Sequence, residues 1–199
     1  VNVIFVKFGD KYTSDDVNRL AIFDNVYCYT DDATGLSDNV TPIIASKDNT
    51  LHGVWNKLKL FDRTFPVSGP MLYFDLDTVF RSKPNIPQSH DLTLMHSHWK
   101  PDSMINPFTY DVTICSQIMT WDASNPDIHK IWDHFQTNAD YFMRKYIGID
   151  RFIHHENFTV KHFDYDLIQS WKYEEHKPTA SVLTFEELDF RSIDLHEVA

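Results

Sequence analysis

Met71-Leu72-Tyr73-Phe74-Asp75-Leu76-Asp77-Thr78-Val79-Phe80 is an apolar run that breaks into two aspartates one residue apart. Strand side chains alternate faces with period two, so the spacing predicts Asp75 and Asp77 on the same side of one strand, close enough to hold a cation between them. A carboxylate pair at the end of a buried strand is costly to desolvate unless a metal or a positive partner compensates it. An isolated D-x-D equally fits a strand that ends in solvent with both carboxylates hydrated. The segments on either side turn the reading toward a site.

Short stretches rich in β-branched and aromatic residues recur at Val3 to Phe8, Val26 to Tyr29, Val40 to Ala45, Leu92 to Met95 and Thr113 to Trp121, as strands do. Helical patterns separate them. Ser14 reads as an N-cap before an acidic first turn, Asp15-Asp16, and the apolar positions Val17, Leu20 and Ala21. Val54, Leu58 and Phe61 form a second stripe, with Asn56, Lys57 and Lys59 pointing elsewhere, and a third helix after Asn125-Pro126 carries Ile128, Ile131, Trp132 and Phe135. Strands alternating with helices predict an α/β sandwich around a largely parallel sheet. Ligands of such sheets bind beyond the carboxyl ends of the strands, where Asp75 and Asp77 fall.

The chain has 199 residues, 42% of them hydrophobic and 15% aromatic, enough to bury one core of ordinary size. Its 18 Lys+Arg against 29 Asp+Glu give a formal charge of −11, which argues against nonspecific binding to nucleic acid or anionic membrane. An anionic substrate would need local positive charge, most simply a divalent metal. No apolar run approaches the roughly 18 residues of a membrane span, and no basic segment leads an apolar one at the N-terminus. The expectation is a cytoplasmic protein with no integral membrane segment. Cys28 and Cys115 lie apart without metal-ligand spacing and read as reduced, buried thiols. The sequons at Asn39 and Asn157 are taken as chance. His96-Ser97-His98 and His154-His155-Glu156 lack the spacing of a zinc site and read as surface or groove residues.

Taken together, the motifs resemble those of nucleotide-sugar glycosyltransferases with the GT-A fold, especially the glycogenin-like group. Residues 71–79 resemble the D-x-D strand of that group, and the other matches follow its order along nearly the whole chain. Phe5 to Tyr12 is similar to the first strand and turn, which implies that Phe8 and Tyr12 approach the donor and that Tyr12 lies against uracil. Trp55-Asn56-Lys57-Leu58 resembles the helix that sends a basic residue, Lys57, to the donor. Asp75, Leu76 and Asp77 would contact the donor as well, with the two aspartates holding Mn2+ or Mg2+. Cys115 to Trp121 resembles the strand beneath the sugar, with Ser116 and Gln117 at its polar positions. Gly148-Ile149-Asp150-Arg151 is similar to a G-D-Q segment whose Asp150 faces the transferred sugar. In its brevity the chain resembles minimal members encoded by bacteriophages.

Two departures stand out. Arg151 replaces a usual Gln, and Ala180 to Phe185 leads to Glu186-Glu187 where the family closes on F-H-G, so residues 180–199 form a closing strand and tail of different pattern. The third metal ligand would be Glu186, His196 or none. The residues also admit plainer roles: Lys57 a solvated helix lysine, Tyr12 an aromatic lid, Ser116 and Gln117 satisfied strand-edge groups, Asp150 a helix N-cap.

The resemblance implies a single GT-A domain over 1–199 that moves a hexose from a UDP-sugar donor to a carbohydrate or other hydroxyl acceptor, with retention, using Lys57 and Asp150 as catalytic residues. Phosphatases of the haloacid dehalogenase class share an apolar strand running into D-x-D, with Asp75 as nucleophile and Asp77 as general acid and base. That motif normally occupies the first strand, whereas here strands and two helices precede it. A non-catalytic carbohydrate-binding module is the third reading, drawn from five Trp and nine Tyr.

Overall fold

A computed structural model describes residues 1–97, 112–164, 166–170, 180–185 and 191. Glu186, His196 and His98 lie outside the described residues.

Six strands of the large sheet form where the sequence places them, and a seventh, the two-residue Lys161–His162, joins them without having been expected. β1 (Asn2–Lys7), β2 (Val26–Thr30), β3 (Val40–Ile44), β4 (Pro70–Phe74), β6 (Thr93–His96), β7 (Ile114–Asp122) and β8 (Lys161–His162) make one sheet in the order β3-β2-β1-β4-β7-β6-β8. β3, β2, β1 and β4 are parallel, β7 runs antiparallel to both of its neighbours, and β8 is parallel to β6. The mixed, largely parallel sheet matches the α/β expectation. β5 (Thr78–Phe80), β9 (Ile168–Ser170) and β10 (Val182–Thr184) form a small second sheet in the order β5-β10-β9.

Alternation along the strands gives the sheet two apolar faces. Ile4, Met71 and Tyr73 pack on one side with α2 (Pro126–Gln136), α3 (Ala139–Lys145) and α4 (Ile149–His155), while Val3, Phe5, Leu72 and Phe74 meet α1 (Ser14–Leu20) on the other. The α2 stripe is buried as its 3-and-4 spacing requires: Ile128, Ile131, Trp132 and Phe135 all face the core. Cys28 and Cys115 are free and buried.

Three local readings change. The cap of α1 is Thr13, one residue before Ser14, because Asp16 reaches back to accept from the Thr13 N–H at 2.8 Å. Gly53–Phe61 is a 3-10 helix. Its three-residue turn stacks Trp55, Leu58 and Phe61 into the core, and Val54 with Lys57 on another row. Val54, expected on the apolar stripe, is 45% exposed, whereas Asn56 and Lys57, expected off that stripe, are buried. The D-x-D motif does not continue a strand. β4 stops at Phe74, the Asp75 N–H donates to the Gln117 carbonyl at 2.7 Å, and the Thr78 N–H donates back to the Asp75 carbonyl at 3.1 Å. Asp75 to Thr78 is thus a turn that carries the chain from the large sheet into β5 of the small one.

The site follows from the strand order. The chain runs outward from β1 through β2 to β3, then crosses back to place β4 on the other side of β1. Connections leave the carboxyl ends of β1 and β4 in opposite directions, and a crevice opens between them. β7, antiparallel to β4, brings its first residues to the same end.

Candidate active site

The turn between β4 and β5 is held from below. Arg19, on α1, donates to the carbonyls of Leu76 at 2.7 Å and Thr78 at 2.6 Å. Leu76 anchors the turn by burying its side chain in the α1-side core. Asp75 and Asp77 are left facing one cleft of about 280 Å³, lined also by Phe8, Lys11, Tyr12, Val54 and Lys57.

The two carboxylates have unlike surroundings. Lys57 Nζ lies 2.6 Å from Asp75 Oδ1 and 2.8 Å from Oδ2. The Tyr73 hydroxyl also donates to Asp75 Oδ1, and the Tyr73 ring lies 5.2 Å from the Lys57 ammonium. Asp77 accepts from the Tyr12 hydroxyl at 3.2 Å through Oδ2, whereas its buried Oδ1 has no partner among the described residues. Burial first, and then the charge of Asp75, push the Asp77 carboxyl up to about 7. Burial works against the Lys57 ammonium, but Asp75 and then Asp150 outweigh it and raise its pKa. The Tyr12 hydroxyl is shifted far upward by burial and by Asp77.

A second cavity of about 240 Å³ shares Val54, Lys57 and Asp75 with the first and adds Ser116, Gln117, Asp150 and Arg151. Asp150 does not cap its own helix. The N-cap of α4 is Gly148, and Asp150 Oδ1 instead accepts from the Ser116 N–H at 3.0 Å, tying α4 to β7. Burial raises its pKa against the pull of Lys57. Gln117 commits its amide N–H to the Phe185 carbonyl at 2.7 Å, and its Oε1 takes the Cys115 thiol at 3.4 Å.

Every donor-binding and catalytic candidate named from the sequence therefore lines one of two joined cavities: Phe8, Tyr12, Leu76 and Asp77 the first, Ser116, Gln117 and Asp150 the second, Lys57 and Asp75 both. Three contributors were missed. Tyr73 reads as one more strand aromatic, Arg19 as a helix-surface cation and Lys11 as a turn residue; only the Tyr hydroxyl at the penultimate strand position hints at a polar task. A larger cavity of about 680 Å³ lies elsewhere, between β3, Phe65 and the end of α2. It contains neither aspartate of the pair, so chemistry rather than size places the site.

A separate network sets the position of α4. Glu156, at its C-cap, accepts from the Tyr146 hydroxyl, lies 2.8 Å from His134 Nε2 on α2 and receives Lys145 Nζ of α3 at 3.1 Å. The Tyr146 hydrogen bond, with smaller help from His134 and Lys145, holds the Glu156 carboxyl down at about 2. Because the folded value lies below the unfolded one, this stabilisation is full above about pH 4.5 and is lost as pH falls toward 2. Glu156→Gln should lower Tm by roughly 2–4 °C near neutrality, about 1 kcal/mol in a domain of this size and modest because the network is partly solvated. The difference from wild type should close between pH 4.5 and 2 in thermal melts, and a gap that persists at pH 2 would refute the linkage.

No protein-family model and no curated protein matches the sequence. Solved structures do match. The glycosyltransferase GlyE of Streptococcus pneumoniae TIGR4 is similar over 99% of this chain and 62% of its own, at 10% identity and a TM-score of 0.57. The galactosyltransferase LgtC, in complex with donor and acceptor sugar analogues, is similar over 100% of this chain and 94% of its own, also at 10% identity and 0.57. The fold is that of the GT-A glycosyltransferases. The chain spans just under two thirds of the length of GlyE. Within this GT-A fold the joined cavities lie at the carboxyl-end crevice, and no described helix is long and apolar enough to cross a membrane.

Proposed function

We propose that the chain is a metal-dependent glycosyltransferase that transfers a hexose from a UDP-sugar to a carbohydrate or other hydroxyl acceptor. The observation that carries this reading is the carboxylate pair at the junction of two cavities, with one buried oxygen of Asp77 lacking a partner.

Among the described residues no group of three or more His, Cys, Asp and Glu forms a complete metal cage. Two aspartates nevertheless suit a hard cation that takes its remaining oxygens from water and phosphate. The orphaned Oδ1 and the raised pKa of Asp77 mark a carboxylate whose ionised form is under-compensated, burial and Asp75 outweighing the nearby Lys57 and Lys11. Asp75 and Asp77 would hold Mn2+ or Mg2+, which as a Lewis acid supports the negative charge accumulating on a departing diphosphate.

The two cavities, about 280 and 240 Å³, are each at or below the small end of ligand pockets. A bipartite ligand fits them better than a compact one. The nucleoside would take the Phe8 and Tyr12 side, where aromatic faces are available, and the sugar would take the Asp150 and Arg151 side. The diphosphate then passes the shared residues, where Lys57 donates to it. Asp150 would orient the sugar and stabilise positive charge growing at its anomeric carbon. Retention is the outcome that the resemblance to the glycogenin-like group favours.

The phosphatase reading asks Asp75 to attack phosphorus, yet both of its oxygens are engaged by Lys57 and one also by Tyr73. One assay separates the two. UDP release from UDP-glucose should proceed slowly in water with Mn2+, stop with a chelator and accelerate with sugar acceptors, while p-nitrophenyl phosphate stays intact. Turnover of the phosphate ester without nucleotide binding would reverse the assignment.

A further inference from the structure

We propose that Lys57 is an internal stand-in for the divalent cation: in the metal-free protein its ammonium neutralises Asp75, and a metal ion must displace it before both aspartates can serve as ligands. This rests on the transferase reading above and adds a step to it.

The asymmetry of the carboxylate pair is the starting point. Asp75 has an ammonium within 2.6 and 2.8 Å of its two oxygens and a tyrosine hydroxyl on one of them, whereas Asp77 Oδ1 is buried with no partner. A divalent ion bridging the pair would come close to the Lys57 ammonium, and like charges at that range repel strongly in a partly desolvated cleft. The ammonium therefore has to move.

It has somewhere to go. Lys57 lines both cavities, and Asp150, in the second, already contributes to holding its charge. The row shared with Val54 on the 3-10 helix leaves the flexible lysine stem along the cleft wall, so Nζ can swing toward the junction without moving the helix. A diphosphate arriving there accepts the displaced ammonium. Metal alone must break the Lys57–Asp75 pair without replacing it, while metal with diphosphate exchanges one ion pair for another. Weak binding of free metal and strong binding of metal with UDP follow from one contact.

The test is a calorimetric titration of Mn2+ alone, without nucleotide, into wild type, Lys57→Met and Lys11→Met. Lys57→Met removes the competitor and should bind Mn2+ about tenfold more tightly than wild type while binding UDP less well at saturating Mn2+. Lys11→Met removes a neighbouring charge from the same cleft that is not paired with Asp75, and should change Mn2+ affinity by about twofold or less if the effect is displacement rather than general charge. Equal or weaker Mn2+ binding by folded Lys57→Met, or equal tightening by both variants, overturns the proposal.

Wild type provides a readout that does not depend on the variant folding. In 15N-lysine-labelled protein the Lys57 ammonium resonance, assigned through Lys57→Arg, should shift on addition of Mg2+ with UDP, and an unchanged resonance at saturation overturns the swap. If wild type binds Mn2+ and UDP but these signs are missing, the swap fails and the transferase reading stands. If wild type binds neither, both fall.

Discussion

Asp77→Asn is expected to abolish Mn2+-dependent UDP binding and, in the same molecule, to raise the thermal stability of the metal-free protein. The first effect follows from losing the less committed of the two carboxylates, the one with an unpartnered oxygen. The second follows from proton linkage. Asp77 is 6% exposed, and burial together with Asp75 pushes its carboxyl up from the ordinary 3.8 to about 7. The native state thus holds a proton that the unfolded chain releases, and between about pH 4 and 7 native stability falls as pH rises.

A neutral amide of the same shape escapes that penalty and still accepts from the Tyr12 hydroxyl. Above pH 7 the gain should be roughly 2 to 4 kcal/mol, an upper range because cleft water relaxes the buried charge. That corresponds to roughly 5–10 °C in Tm for a domain of this size. Melts in the presence of a chelator should show the two proteins converging near pH 4 and separating toward pH 8. Wild-type UDP affinity with Mn2+ in the variant would remove Asp77 from the metal site, and a lower Tm at pH 8 would refute the electrostatic account of its burial.

Asp150→Asn should separate turnover from binding. Its Oδ1 accepts from the Ser116 N–H, and an amide oxygen preserves that bond, so the junction of α4 with β7 should survive. What the substitution removes is negative charge facing the second cavity. If that charge supports the anomeric carbon, UDP-glucose hydrolysis and transfer should fall by about 10²–10³-fold, the usual scale for a preorganised electrostatic contact, with UDP affinity nearly unchanged. Asp150→Ala should add a structural defect of about 1–3 kcal/mol by leaving a backbone N–H unpaired. Hydrolysis at the wild-type rate in Asp150→Asn, with intact UDP binding, would reduce Asp150 to a brace between α4 and β7.

The sequence by itself determined six of the seven strands of the large sheet, the buried stripe of α2 and the carboxylate pair on which the site is proposed. Each depends on residue order alone: period two or near four for the elements, and two carboxylates at an apolar strand's end for the chemistry. What the large sheet does with them is a tertiary matter. Asp75 is held to β7 by the pairing of its N–H with the carbonyl of Gln117, a residue 42 positions away, before the Thr78 N–H closes the turn on the Asp75 carbonyl. The shape of the D-x-D turn is decided by Arg19, whose guanidinium is two hydrogen bonds from the turn only because α1 packs beneath it. Taken alone, Lys57 reads as a solvated lysine, and only the family resemblance sends it to the donor; in the fold it is buried and paired with Asp75, a contact that needs the 3-10 helix Gly53–Phe61 packed beside the end of β4. Long-range hydrogen bonds and packing choose among local geometries that propensity leaves nearly equal in energy, so which residues line the two cavities was legible in the sequence and their pairing was not.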